Sequence, residues 1–279
     1  VQPPARAVGF ALGGWTETSL YQFAFEQNLY GSPLTFDSAG NMYGSTAHWS
    51  GNDKGAVYQL ARNGNGWNVN VIYQFSGGND GRNPVGSLAI DSAGNIYGVT
   101  DDEGPYDYGL VYELSPSPSG WVKTTLYAFQ GGDDGWVPFG GLIFDHAGNL
   151  LGSTASGGSR GGGTVFQLTP QAGRGWVFTT LYGFAGHQSG GPVGSLTLDA
   201  AGSIYGALTE DGNLGENGSI FKLTLSNGSW TYSDLHSFAG EGDGDLPNGS
   251  LVVDARGNVY GTTSDGGAYN YGLVFQITP

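Results

Sequence analysis

Apolar residues in this chain fall in short runs, each about a strand long, and the runs recur in one order with turn-forming residues between them. The clearest stretch reads Gly86-Ser87-Leu88-Ala89-Ile90, then Asp91-Ser92-Ala93-Gly94, then Asn95-Ile96-Tyr97-Gly98-Val99-Thr100. Two apolar runs joined by a turn that opens on Asp and closes on Gly predict a β-hairpin, because Asp bonds the turn backbone and Gly accepts the left-handed conformation. Equivalent turns open at Asp37, Asp145, Asp199 and Asp254. A third run follows each hairpin, as in Gly109-Leu110-Val111-Tyr112-Glu113-Leu114, and a fourth leads from a Trp to a ring pair such as Tyr127-Ala128-Phe129.

Those tryptophans, Trp15, Trp67, Trp121, Trp176 and Trp230, lie 52, 54, 55 and 54 residues apart. Four strands, A to D, recurring about every 50 residues predict antiparallel propeller blades. Stacked blades cover both faces of each sheet, which explains why the alternation along the runs is only partial. The expected fold is all-β, a five-bladed β-propeller with four antiparallel strands per blade. The chain opens with a D strand and closes with a C strand, so the ring is expected to close by pairing 15–23 with 272–277. Residues 1–14 then form an N-terminal arm or linker, and 15–279 a single propeller domain.

Composition narrows the partners. Net charge is −15 with 9 Lys and Arg, and such a surface repels phosphate backbones, so no nucleic-acid partner is expected. No Cys is present, which removes disulfides, thiol catalysis and thiolate metal sites. No apolar run approaches the ~20 residues of a membrane span, so no membrane insertion is expected. A start at Val1 without a visible leader fits a secreted protein after processing, and the expected location is extracellular.

The run Asp-x-x-Gly-Asn-x-Tyr-Gly-x-Thr, a Gly-rich loop, and then Gly-x-Val-Phe-x-Leu resembles the gloeo/verruco (GloVer) tandem-repeat family of bacterial secreted proteins. The likeness covers 31–279 in five copies, with Leu151 in place of Tyr in the third and Ser203 in place of Asn in the fourth. It implies an extracellular bacterial propeller and brings no catalytic residues with it.

Topology sorts the loops into two ends. A–B turns and C–D links occupy one end and are uniform; D–A and B–C loops occupy the other and vary, so a binding site is expected there. The five turn aspartates and the periodic tryptophans read as turn and packing residues. Trp49 and Trp136 fall off the period in variable loops, where an indole can face a sugar ring. Beside them the candidate ligand-binding residues are Asp133 and Asp134 next to Trp136, His48 next to Trp49, the loop tyrosines Tyr106, Tyr108, Tyr269 and Tyr271, and the loop carboxylates Asp80, Asp243 and Asp245. The acidic Gly loops lack the spacing of a twelve-residue calcium loop, so no cofactor is expected, calcium being the one cation the loops leave open. No nucleophile elbow or metal-spaced His set is present, and no catalytic residue is assigned.

The expected function is non-enzymatic binding of a glycan or another extracellular ligand, lectin-like or adhesive, at the variable end. The alternatives are a structural subunit of an extracellular fibre or surface assembly, self-assembling through 1–14, and a glycan-active enzyme using loop carboxylates.

Overall fold

The computed structural model describes residues 17–23, 32–49, 53–64, 66–186, 190–210 and 217–279. The strands form five antiparallel sheets in chain order, a five-bladed β-propeller, and no α-helix occurs among the described residues. The second blade shows the plan: Arg82–Ile90 (A), Ile96–Asp102 (B), Leu110–Ser117 (C) and Gly120–Ala128 (D), each hydrogen-bonded to the next. B and C strands lie between neighbours and between blades, so nearly all of Leu150–Ser156 and the first half of Gly161–Gln171 are buried.

The A strand of the second blade is bent at Gly86-Ser87. In the second blade the register with the B strand shifts between Val85 and Ala89, where Gly86 sits at φ 69°. The bend presses backbones together at the centre of the ring. Ser87 bridges Gly141 of the third blade, Leu142 N–H donates to Ser87 O at 3.1 Å, and Ser87 Oγ meets Ser195 Oγ of the fourth at 2.9 Å. A Cβ at Gly86 would collide with the backbone of Gly140 and Gly141, and one at Gly194 with Gly249. Glycine is required here for close approach as much as for its backbone angle.

Between blades the core divides into clusters of like composition. One joins Tyr43 and Val57 to Leu88, Ile96 and Tyr112; the next joins Tyr97 and Val111 to Leu142, Leu150 and Phe166. Others join Val165 and Phe184 to Leu196 and Phe221, and Ile220 and Phe238 to Leu251 and Val259. Each D strand sends its final Phe forward onto the C-strand ring of the following blade: Phe75 on Tyr112, Phe129 on Phe166, Phe184 on Phe221 and Phe238 on Phe275, with centroids 4.8–5.3 Å apart.

The closure expected from the repeat takes another form. Residues 17–23 carry no strand, and the C strand of the fifth blade, Val274–Ile277, pairs with Val259–Asp265 alone among the described residues. The fourth segment of that sheet is Asp245–Pro247, collinear with its A strand Val252–Val253. Phe23 nevertheless lies 5.2 Å from Tyr58 and 6.3 Å from Trp49 of the first blade, the ring contact that Phe75, Phe129, Phe184 and Phe238 make at the other seams. Trp15 and the arm 1–14 lie outside the described residues.

Candidate functional site

At the uniform end, each turn aspartate serves its own turn. Asp91 Oδ1 accepts the Ala93 and Asn95 amides at 2.9 Å, while Oδ2 accepts Asn95 Nδ2 at 2.8 Å and the Tyr97 hydroxyl at 3.0 Å. The same set recurs at Asp37 and Asp254; Asp145 lacks only the Tyr, and Asp199 only the Asn. Burial opposes the charge on Asp91, yet these donors outweigh it and hold the carboxyl below its ordinary range. A shallow groove of about 480 Å³ runs between the turns at Asp199 and Asp254, lined also by Leu198, Val253 and Arg256, and both its carboxylates are occupied by these turns.

The variable end contains three carboxylates that do internal work. Asp80 accepts the Tyr73 hydroxyl at 2.9 Å, the Ser76 amide at 2.8 Å and Lys123 Nζ at 2.8 Å. Asp134 accepts the Tyr127 hydroxyl at 2.9 Å and the Gln130 amide at 2.8 Å, and Asp243 meets His236 Nε2 at 3.2 Å and the Ala239 amide at 3.0 Å. In each case a ring on the D strand clamps the acid seven residues later, so the D–A loop folds back on its strand. Asp80, Asp134 and Asp243 are loop locks, each engaged by its own loop and strand.

Trp49 is also engaged within the fold. It is 8% exposed and stacks on Tyr58 at 6.2 Å within the first blade's cluster, which leaves no indole face for a ligand. His48 beside it is half-exposed, with Nδ1 3.6 Å from Asp53 Oδ1.

Two of the expected aromatics do meet. Tyr108, 39% exposed, lies with its ring 5.8 Å from that of Trp136, tilted by 42°. Backbone without side chains makes this possible: Gly131 leaves room for the Tyr108 ring, and Gly157 underlies Trp136. Tyr106, 54% exposed, sits within electrostatic reach of Tyr127, and the exposed Asp133 follows two residues after Gly131. The B–C loop of the second blade thus leans over the D–A loop that enters the third, making an aromatic shelf with a carboxylate at its rim. Glu103 anchors this loop, pairing with Lys54 Nζ at 2.8 Å and accepting the Gly78 amide.

The remaining expected residues lie in the fifth blade, apart from this shelf. Tyr269 and Tyr271 project almost fully exposed from its B–C loop. Asp245 opens the segment Asp245–Pro247, with Oδ1 buried and without a protein partner. Among the described residues no group of His, Asp and Glu side chains is arranged to hold a metal ion.

Periodicity hid one residue. Aligning the repeats on the B strand places Asp101 where the others carry Ala47, Ala155, Thr209 and Ser264. Burial pushes the Asp101 carboxyl up to about 7, and neighbouring Asp102 adds to the rise. The signal was present in the alignment of repeats: a lone acid at a position otherwise small.

Over residues 28–275 the chain matches the Gloeobacter/Verrucomicrobia repeat, and it belongs to that family of repeat propellers. No curated protein matches it. Among solved structures it is similar to a protein provisionally named a gluconolactonase (15% identity, 95% of this chain and 78% of the other, TM-score 0.56). It is similar also to a provisionally named oxidoreductase (glucose dehydrogenase) of Thermus thermophilus (16% identity, 95% and 88%, TM-score 0.55). A third likeness is to the α-L-arabinofuranosidase Arb93A of Fusarium graminearum (12% identity, 81% and 72%, TM-score 0.51). At these identities the likeness is one of fold.

Proposed function

We propose that this propeller binds a carbohydrate on the aromatic shelf formed by Tyr106, Tyr108 and Trp136, with Asp133 accepting sugar hydroxyls at the rim. The observation that supports this is the meeting of an off-period indole with an exposed tyrosine at 5.8 Å, on a surface where every clamped carboxylate has its own structural partner. A sugar ring offers one face of C–H groups and an edge of hydroxyls, and a ring shelf with a free acid at its margin matches both. The similar propellers are named for sugar chemistry, in keeping with this substrate class, but the residues above carry the reading. Binding without catalysis is favoured over glycan hydrolysis because the loop acids Asp80, Asp134, Asp243 and Glu103 are engaged in the fold. The proposed setting is extracellular.

A glycan array probed with the purified chain, with and without calcium, tests this, followed by calorimetry on any hit. Trp136→Ala is expected to weaken binding by well over tenfold with little change in melting temperature, since an aromatic anchor is typically worth ~2 kcal/mol or more. Trp121→Ala, on the D strand of the same blade as Tyr108, is expected to lower the melting temperature and spare binding. Silence across the array, or the opposite pattern in the two variants, overturns the assignment.

A further inference from the structure

Among the described residues, two buried side-chain oxygens without a protein partner, Asn83 Oδ1 and Asp101 Oδ1, lie on neighbouring strands of the second blade, with Thr100 Oγ1 next in sequence. Arg82 pairs with Asp102 and Pro84 with Thr100, so Asn83 and Asp101 stand opposite each other on the inner edge of the second blade. The corresponding positions are Val137 and Ala155 in the third blade and Leu246 and Ser264 in the fifth, where Ser264 Oγ donates to Leu246 O at 3.1 Å. The second blade alone among these sets two acceptor-bearing side chains against each other.

An ionised carboxylate accepts hydrogen bonds and donates none, and an amide oxygen does the same, so the pair is unsatisfiable as two bare acceptors. Leaving such groups buried is costly. The amide of Asn83 has one further resource: its N–H group donates to the Asp101 carboxyl. That forms half of a ring and leaves the two Oδ1 atoms as the other half. We propose that Asp101 is held as a neutral carboxylic acid that closes a cyclic acid–amide pair with Asn83, Asn83 Nδ2–H donating to one carboxyl oxygen and the carboxyl O–H donating to Asn83 Oδ1. One proton satisfies both orphaned atoms.

The charges around the pair agree. Asp102 disfavours a second negative charge and Arg82 offsets it only in part. Lys54, whose carbonyl accepts the Asn83 backbone amide at 3.0 Å, is paired with Glu103 at 2.8 Å. The strand Trp136–Pro138 of the third blade, packed alongside, brings no titratable group. Burial first, and Asp102 after it, push the carboxyl up to about 7.

Asp101 also sits at the root of the loop that presents Tyr106 and Tyr108. Gly109, where the loop returns, packs against the Asp101 carbonyl carbon, and its amide donates to Glu103 O at 2.7 Å. Loss of the proton places a charge opposite Asn83 at this root and loosens the loop, so the shelf is ordered on the acid side of neutrality and released above it. This regulatory half rests on the shelf being the binding site; the protonation half does not.

Because the folded-state value lies above the unfolded one, the contribution of Asp101 to stability is full below 3.8 and is lost as pH rises through about 7. Carboxyl-carbon NMR of the whole chain, without any glycan, reads the titration directly. One aspartate is expected to titrate near neutrality and to vanish in Asp101→Asn, whose amide keeps a donor toward Asn83. Hydrogen exchange at the Gly104 and Gly109 amides, corrected for intrinsic rates, is expected to speed by about tenfold or more between pH 6 and 8 in the parent and to stay level in the variant.

A second variant, Asn83→Gly, tolerates the left-handed φ of 52° and removes both the acceptor of the O–H and the N–H donor. Loss of the donor alone raises the Asp101 midpoint, so a net fall is expected from the cyclic pair and a rise overturns it. An Asp101 that titrates below about pH 5 overturns the proposal. So does a midpoint unmoved by Asn83→Gly. A neutral-range titration without a change in loop exchange overturns the regulatory half alone, and a failure of every glycan to bind leaves the titration result standing.

Discussion

Four seams of this propeller are built alike, and the fifth is not. Where the first four blades each meet the next, one apolar residue from the leading C strand is sealed: Val57, Val111, Val165 and Ile220 are fully buried. Their counterpart in the fifth blade, Val274, is 80% exposed. On the other side of that seam Leu34 is 45% exposed, while its counterpart Leu88 is 3% exposed and Leu142, Leu196 and Leu251 are also buried. The sequence at these positions scarcely differs, so the residues themselves do not decide burial. Continuity does. At the other seams the chain runs from a paired D strand straight into the next blade, placing a Phe in its core; at the fifth, residues 17–23 bring Phe23 to the first blade, and among the described residues Val274–Ile277 pairs with Val259–Asp265 alone.

The contrast predicts the largest effects where a D-strand Phe crosses a closed seam. Phe129 is fully buried among Phe166, Phe178 and Tyr127. Phe129→Ala is expected to cost about 3 to 5 kcal/mol, on the order of other buried Phe deletions. Phe23, only half-buried at the same repeat position, is expected to cost clearly less. Urea unfolding of both variants ranks them, and equal losses mean the fifth seam is as closed as the rest in solution.

Next comes the ion pair at the first seam. Lys123 Nζ reaches Asp80 at 2.8 Å with the lysine side chain 7% exposed, and the same Nζ donates to Asp80 O at 2.7 Å. Burial opposes ionisation of Asp80, but Lys123 and the Ser76 amide prevail and hold its carboxyl below the ordinary range. Removing the lysine leaves a largely desolvated carboxylate, a loss that runs to about 3 kcal/mol or more in comparable pairs. Because the folded-state value is depressed, this stabilisation is present above the ordinary aspartate range and fades as pH falls below it. Lys123→Met is therefore expected to flatten the acid limb of a melting-temperature profile, and an unchanged limb separates the ion pair from seam stability.

A deletion at the sheet face follows. Leu88→Ala removes a buried side chain from the cluster joining the first and second blades and is expected to cost about 3 kcal/mol, against less than about 1 kcal/mol for Leu34→Ala. Parity between the two, measured by calorimetry at matched pH, breaks the comparison outright.

The repeats make much of this legible in the sequence. Strand order, blade number and the turn role of the five aspartates follow from spacing and from what Asp and Gly do in a turn. Trp136 and Tyr108 read from their positions as loop aromatics at one end, though their contact depends on the bare backbones of Gly131 and Gly157, which spacing does not reveal. Trp49 departs from its expected place because an off-period position says nothing about whether a loop folds inward. Asp80, Asp134 and Asp243 depart for a related reason: their clamps come from rings seven residues earlier, a distance at which periodicity of strands gives no guide. Closure by 15–23 follows from the repeat count; residues 17–23 carry no strand, yet Phe23 reaches Tyr58 as the D-strand Phe reaches the next blade at the other seams.

The smallest effect is also the most diagnostic. Val274 and Ile220 occupy one position in the repeat, both on C strands and both β-branched, so their intrinsic preference for a strand is nearly the same. A Thr at either position keeps that preference and exchanges apolar volume for a hydroxyl. At Ile220 the hydroxyl enters the fully buried cluster with Phe238 and Leu251, and the loss of burial together with a desolvated polar group is expected to cost about 2 kcal/mol. At Val274 water already reaches the side chain, and the change is expected to stay within about 0.5 kcal/mol. Chemical denaturation of the two single variants and the double reads this directly. A Val274→Thr loss approaching that of Ile220→Thr shows that the exposed edge is covered in solution.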